Sequence, residues 1–136
     1  MEKIYSKINP NILLHSINRK EEISFQRQDL SPEKEFLQVA CFAMNKGKIV
    51  KAHKHIQNIR TADMTQESWI VLKGGIKIIL YDLDDKILEE TILKSGDCLV
   101  TFGGGHELIV LEEGTEIYEC KNGPYLGKEK DNVALG

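Results

Sequence analysis

The chain has 136 residues, 41% of them hydrophobic and 29% charged, which suits one domain with a real core and excludes a disordered polypeptide. The net charge is −3 with acidic and basic residues interleaved, so there is no concentrated basic face and nucleic acid is excluded as the main partner. No apolar run approaches the roughly 20 residues of a membrane span, and the start of the chain lacks a signal-peptide core, so the expectation is a cytoplasmic protein with no membrane partner.

In chain order, "NILLHSI" (11–17) and "EISFQRQ" (22–28) read as short strands. "LSPEKE" (30–35) reads as a Ser31-capped turn with Pro32 at the first helical position, giving one helical turn near 31–35. Strand then follows strand: "FLQVACFAM" (36–44), and, after a polar turn at "NKGK", "IVKAHKH" (49–55). "ESWIVLK" (67–73) breaks at Gly74 and Gly75 and resumes as "IKIILYDL" (76–83). "ILEETIL" (87–93), "CLVTF" (98–102), "HELIVLE" (106–112) and "EIYECK" (116–121) complete the series. Turn signals recur every 8–12 residues or so, the mark of an all-β sandwich or barrel. A turn-rich tail, 122–136, closes the chain. The expected organisation is one domain over 1–136, with flanking strands in 1–35 and the barrel in 36–121.

Several strands are apolar on both faces. In "SWIVL", Trp69 and Val71 take one side while Ile70 and Leu72 take the other. The outer face must therefore also be covered, either by the N-terminal strands or by a second subunit, which makes a homodimer an expected partner state. Cys41, Cys98 and Cys120 are odd in number and far apart, so they form neither a disulfide framework nor a metal knuckle and read as small buried thiols.

His53 and His55 stand two apart, which on a strand puts both imidazoles on one face, within reach of one ion. Glu67 opens a strong strand on the face of Trp69 and Val71, and so points inward. His106 follows "FGGG" and shares the core-facing side with Leu108 and Val110. Each of these also has an ordinary reading, as a solvated strand-end acid or a hydrogen-bonded core histidine.

These segments resemble the cupin motifs. "GKIVKAHKH" and "ESWIVLKG" resemble the two halves of the first motif: glycine, five residues, HxH, then glutamate, six residues, glycine. "GDCLVTFGGGH" resembles the second motif, which runs from a Gly-Asp turn through a glycine-rich bend to a histidine. Three departures stand out: eleven residues separate His55 from Glu67, Phe102 replaces the usual proline, and His106 arrives one residue early. The resemblance implies a double-stranded β-helix, or jelly-roll barrel, holding one divalent ion (Fe, Mn, Ni or Zn) through His53, His55, Glu67 and His106. Small cupins of this kind are associated with bacterial surface-polysaccharide biosynthesis, and the "GPY" and "KD" tail resembles theirs.

Around that set, Arg60 in the inserted loop, Lys51 beside His53, and Trp69 are candidate substrate-binding residues. Glu119, in "IYECK", is the candidate general base if it is half-buried. The leading expectation is a metal-binding cupin acting on a polar small molecule, such as a sugar or sugar nucleotide, by isomerase or epimerase chemistry. The alternatives are a non-catalytic, metal-anchored binding or accessory protein, and an Fe(II)-dependent dioxygenase. Whether the chain is an enzyme is left open at this level.

Overall fold

A computed structural model describes residues 1–135; Gly136, the last residue of the expected tail, lies outside the described residues. The protein is all-β. Its strands are β1 (Glu2–Tyr5), β2 (Leu13–Asn18), β3 (Gln28–Asp29), β4 (Ala40–Cys41), β5 (Glu67–Lys73), β6 (Gly75–Tyr81), β7 (Ile87–Lys94), β8 (Cys98–Thr101), β9 (Gly105–Val110) and β10 (Glu116–Lys121). A 3-10 turn spans Lys20–Glu22, and a one-turn helix, α1, spans Lys128–Asp131.

The large sheet has the order β1-β2-β8-β5-β10, the small one β7-β6-β9, and β3 pairs with β4 alone. Every pairing is antiparallel. From β5 onward the chain passes back and forth between the two main sheets. Period-2 alternation explains how they face each other. On β6, Ile76, Ile78 and Leu80 are wholly buried, and they join Ile17, Trp69, Val71 and Leu99 of the large sheet in one core. Each such side chain contributes about 1.5–3 kcal/mol by leaving water.

The outer face of the large sheet carries the second apolar set, Cys98, Val100 and Ile70. It is covered by Leu30, Leu37, Val39 and Cys41 from the chain's own N-terminal third. Of the two covers that the two-faced strands allowed, the intramolecular one is present. Gln66 clamps it: its side-chain oxygen accepts the backbone N–H groups of Phe36 (2.9 Å) and Leu37 (3.0 Å), and its amide donates to Glu35 (2.7 Å). Gln66 is buried there, and the next residue, Glu67, pairs with Thr101 and turns inward.

Several expectations are corrected. The strand read at 36–44 is reduced to Ala40–Cys41, and 49–55 carries no strand. Among the described residues 42–66, no backbone ladder forms, and a strand without a ladder partner cannot offset its ordering entropy. The helical turn near 31–35 is a bend with one turn bond, Glu35 N–H to the Pro32 carbonyl (3.0 Å). Its would-be cap, Ser31 Oγ, instead accepts the N–H of Val39 (3.1 Å), and Gln66 pins the following residues. The strand read at 22–28 survives only at Gln28, where β3 begins after a 3-10 turn and a bend, while β1 has no counterpart among the expected elements. Cys98 is buried as expected, but Cys41 is half-buried and Cys120 exposed, because β10 is an edge strand open to solvent.

Candidate functional site

Four polar residues fall in one row across the large sheet. His15 on β2 is opposite Thr101 on β8, Thr101 is opposite Glu67 on β5, and Glu67 is opposite Lys121 on β10. Directly paired residues share a face, so all four point to the same side. Two residues further along, Ile17, Leu99 and Trp69 continue that face as the apolar core. The row thus marks where the core ends and a polar end of the sandwich begins.

The small sheet supplies the opposing group. His106, the second residue of β9, lies opposite Leu80 of β6 and therefore faces inward. The bend that delivers it depends on Gly104. Its φ is +71°, and a Cβ there would stand 2.4 Å from the Tyr81 carbonyl oxygen, so only glycine fits. His106 Nε2 is 3.0 Å from one Glu67 oxygen, and Lys121 Nζ is 2.7 Å from the other. The Trp69 ring meets the His106 ring edge-on, with centroids 4.7 Å apart.

The hydrogen bond from His106, helped by Lys121 and opposed by burial, holds the Glu67 carboxyl down at about 2. Lys121's own hydrogen bond to Glu67 raises it above the usual lysine value. Glu67 is thus a fixed anion at neutral pH and a poor proton acceptor. His15 is wholly buried, its Nδ1 3.3 Å from Thr101 Oγ1 and its Nε2 without a hydrogen-bond partner among the described residues. Burial, then the nearby His106, lowers it from 6.5 to about 4, so it is neutral at physiological pH. His106 Nδ1 is likewise buried without a partner among the described residues.

A cavity of about 700 Å³ opens at this end, lined among others by Glu67, Thr101, His106, Tyr81, the Gly103–Gly105 bend and the tail segment 131–135. The tail is held there through α1: Asp131 accepts the Thr65 hydroxyl and lies 3.8 Å from Lys121.

The structure brings Glu67, His106 and Trp69 together, Trp69 as a buried core residue rather than as part of the cavity wall. It leaves His53, His55, Lys51 and Arg60 exposed in the segment between Gly47 and Met64, outside the cavity lining. There the two imidazoles contact each other, centroids 5.5 Å apart, and His53 Nδ1 donates to the Lys51 carbonyl (2.9 Å). Glu119 accepts from the Trp69 indole (3.2 Å) and keeps 44% of its side chain exposed on the edge strand β10, outside the cavity lining.

Two donors each about 2.1 Å from one ion and at right angles stand about 3.0 Å apart, so the Glu67–His106 separation suits two adjacent ligand positions. Among the described residues, however, no group of three or more His, Cys, Asp or Glu side chains is arranged to hold a metal ion. The pair fits an ion; the set of four is not gathered.

Sequence reading missed His15, Thr101 and Lys121. The signal for His15 was present: it stands two residues before Ile17 along "LLHSI" and so shares the core face. No protein-family model, no curated protein and no solved structure matches the chain.

Proposed function

We propose that the protein is a small jelly-roll binding protein or enzyme whose cavity takes a polar small molecule between the Glu67–His106 pair and the Gly103–Gly105 bend. One observation carries this reading: a cavity of about 700 Å³ opens on Glu67 and His106, which meet at 3.0 Å from the two sheets where the apolar core ends. Cavities of this size and mixed lining are the common form of small-molecule sites. In an isomerase or epimerase reaction, His106 is the group in the wall suited to move a proton, because an imidazole has one ring nitrogen that can accept and one that can donate. Glu67 orients it through their 3.0 Å contact. A sugar is a fitting substrate, in line with the polysaccharide association that the cupin resemblance implies. Amide chemical shifts on titrating small sugars into full-length protein test this. Shifts confined to Glu67, Thr101 and 103–106 support it, whereas shifts confined elsewhere refute it.

A second reading adds one divalent ion (Fe, Mn, Ni or Zn), favoured by the 3.0 Å approach of Glu67 and His106. The ion would act as a Lewis acid on a substrate oxygen. The full ligand set then requires His53 and His55 to be brought in from their exposed segment. Elemental analysis of untagged protein decides it: metal near one equivalent per chain, lost in Glu67→Ala plus His106→Ala, supports it, and metal far below one equivalent refutes it.

We also propose that the protein works as a homodimer. Ile49, Val50, Ile56 and Ile59 of the His53–His55 segment are 61–98% exposed, an apolar strip that a second copy would cover. Light scattering of the wild type against Ile56→Ser plus Ile59→Ser tests this, a monomeric wild type being the refuting result.

A further inference from the structure

Five of the side chains lining the cavity are carboxylates, namely Glu67, Asp82, Asp85, Glu107 and Asp131, and among the described residues no lysine or arginine lines it. The charge is not cancelled from behind. Lys121 is one cation spread over Glu67 (2.7 Å), Glu119 (3.4 Å) and Asp131 (3.8 Å). Asp82 is held by neutral donors, among them the backbone N–H groups of Lys7 (2.7 Å) and Leu83 (2.8 Å). Glu107 accepts the Tyr81 hydroxyl (2.9 Å). A partly enclosed space with such walls focuses negative potential, attracts cations and repels phosphate.

An independent feature marks the same wall. His15 is wholly buried, and its unpartnered Nε2 lies 3.5 Å from where a Cβ on Gly104 would stand. Gly104 lines the cavity, as does Thr101, whose hydroxyl contacts the other ring nitrogen at 3.3 Å. This imidazole thus lies directly behind two residues of the cavity wall. The anionic side chains are joined in the wall by the Thr101 hydroxyl, with the His15 imidazole behind it.

We infer that the cavity selects a small amine-bearing cation and rejects phosphorylated molecules, a statement that rests on the small-molecule site proposed above and narrows its ligand class. An ammonium group donates to several of the carboxylates at once, which a neutral hydroxyl cannot match in strength. A sugar nucleotide brings its diphosphate against Asp82, Asp85 and Glu107, so an amino sugar or a simple diamine fits better.

The test is amide chemical-shift titration of full-length protein, treated with chelator, using four probes: glucosamine, putrescine, N-acetylglucosamine and glucose 6-phosphate. The expected result is that at least one amine shifts 103–107 with affinity about tenfold tighter than that of N-acetylglucosamine, while the phosphate gives no shift. That affinity falls as salt rises, and falls again in Asp85→Asn plus Glu107→Gln. Equal or tighter binding of the neutral or phosphorylated probe at 103–107 overturns the charge selection and leaves the small-molecule site standing. No shift at 103–107 from any of the four overturns both.

Discussion

His15 makes acid stability a direct measure of the buried row. Its pKa falls from 6.5 to about 4 on folding, because a wholly buried imidazole beside His106 cannot readily take a proton. Above pH 6.5 the imidazole is neutral in both states and full stability is present. Between 6.5 and about 4 the unfolded chain binds a proton that the folded one refuses, so stability falls with pH, and below about 4 the loss is complete. At 1.36 kcal/mol for each pH unit the whole loss is about 3 kcal/mol, most of which has gone by pH 4.5. Urea unfolding of metal-free protein at pH 7 and pH 4.5 measures it, with Trp69, the single tryptophan, as the buried fluorescent reporter. In His15→Gln, which keeps a polar partner for Thr101, most of that difference disappears. If wild type and variant lose equal stability between the two pH values, the buried-histidine account is wrong.

Glu67 acts in a lower window: its carboxyl is held at about 2 instead of 4.5, so its stabilisation is present above pH 4.5 and is lost as pH falls toward 2. Glu67→Gln removes about 2 kcal/mol at neutral pH and flattens that acid limb in the same urea assay, and an unchanged limb would count against the ion pair. Gly104→Ala forces a Cβ to within 2.4 Å of the Tyr81 carbonyl and costs roughly 2–4 kcal/mol, whereas Gly114→Ala, with a similar φ of +70° but open space, costs about 1 kcal/mol; thermal melts compare the two. Ile78→Ala empties a wholly buried site between the sheets and costs about 2–5 kcal/mol in urea unfolding, whereas the exposed Ile59→Ala changes stability by less than about 0.5 kcal/mol.

The strands from Glu67 to Lys121 were legible because their signals are local. Alternation told that Trp69 and Val71 face one way, and turn residues such as Gly74, Gly96 and Gly114 stood where the backbone reverses. The inward placement of Glu67 and His106 followed from the same alternation. The segment from Phe36 to His55 was misread for the complementary reason: its residues suit a strand, but a strand also needs a partner edge, and pairing is not local. Reading His53 and His55 as sharing a strand face inherited that error.

By itself, then, the sequence determined an all-β chain, most of its strand ends, and which face of β5 and β9 turns inward, since a period of two depends only on neighbours in the chain. Only the tertiary structure decided that β2 lies beside β8, that His15 thereby joins Thr101, Glu67 and Lys121 in one row, and that His106 crosses from the other sheet to meet them. It also decided that the outer face is covered by the chain's own N-terminal third, because strand order and layer contacts depend on residues far apart in sequence whose proximity no local pattern encodes.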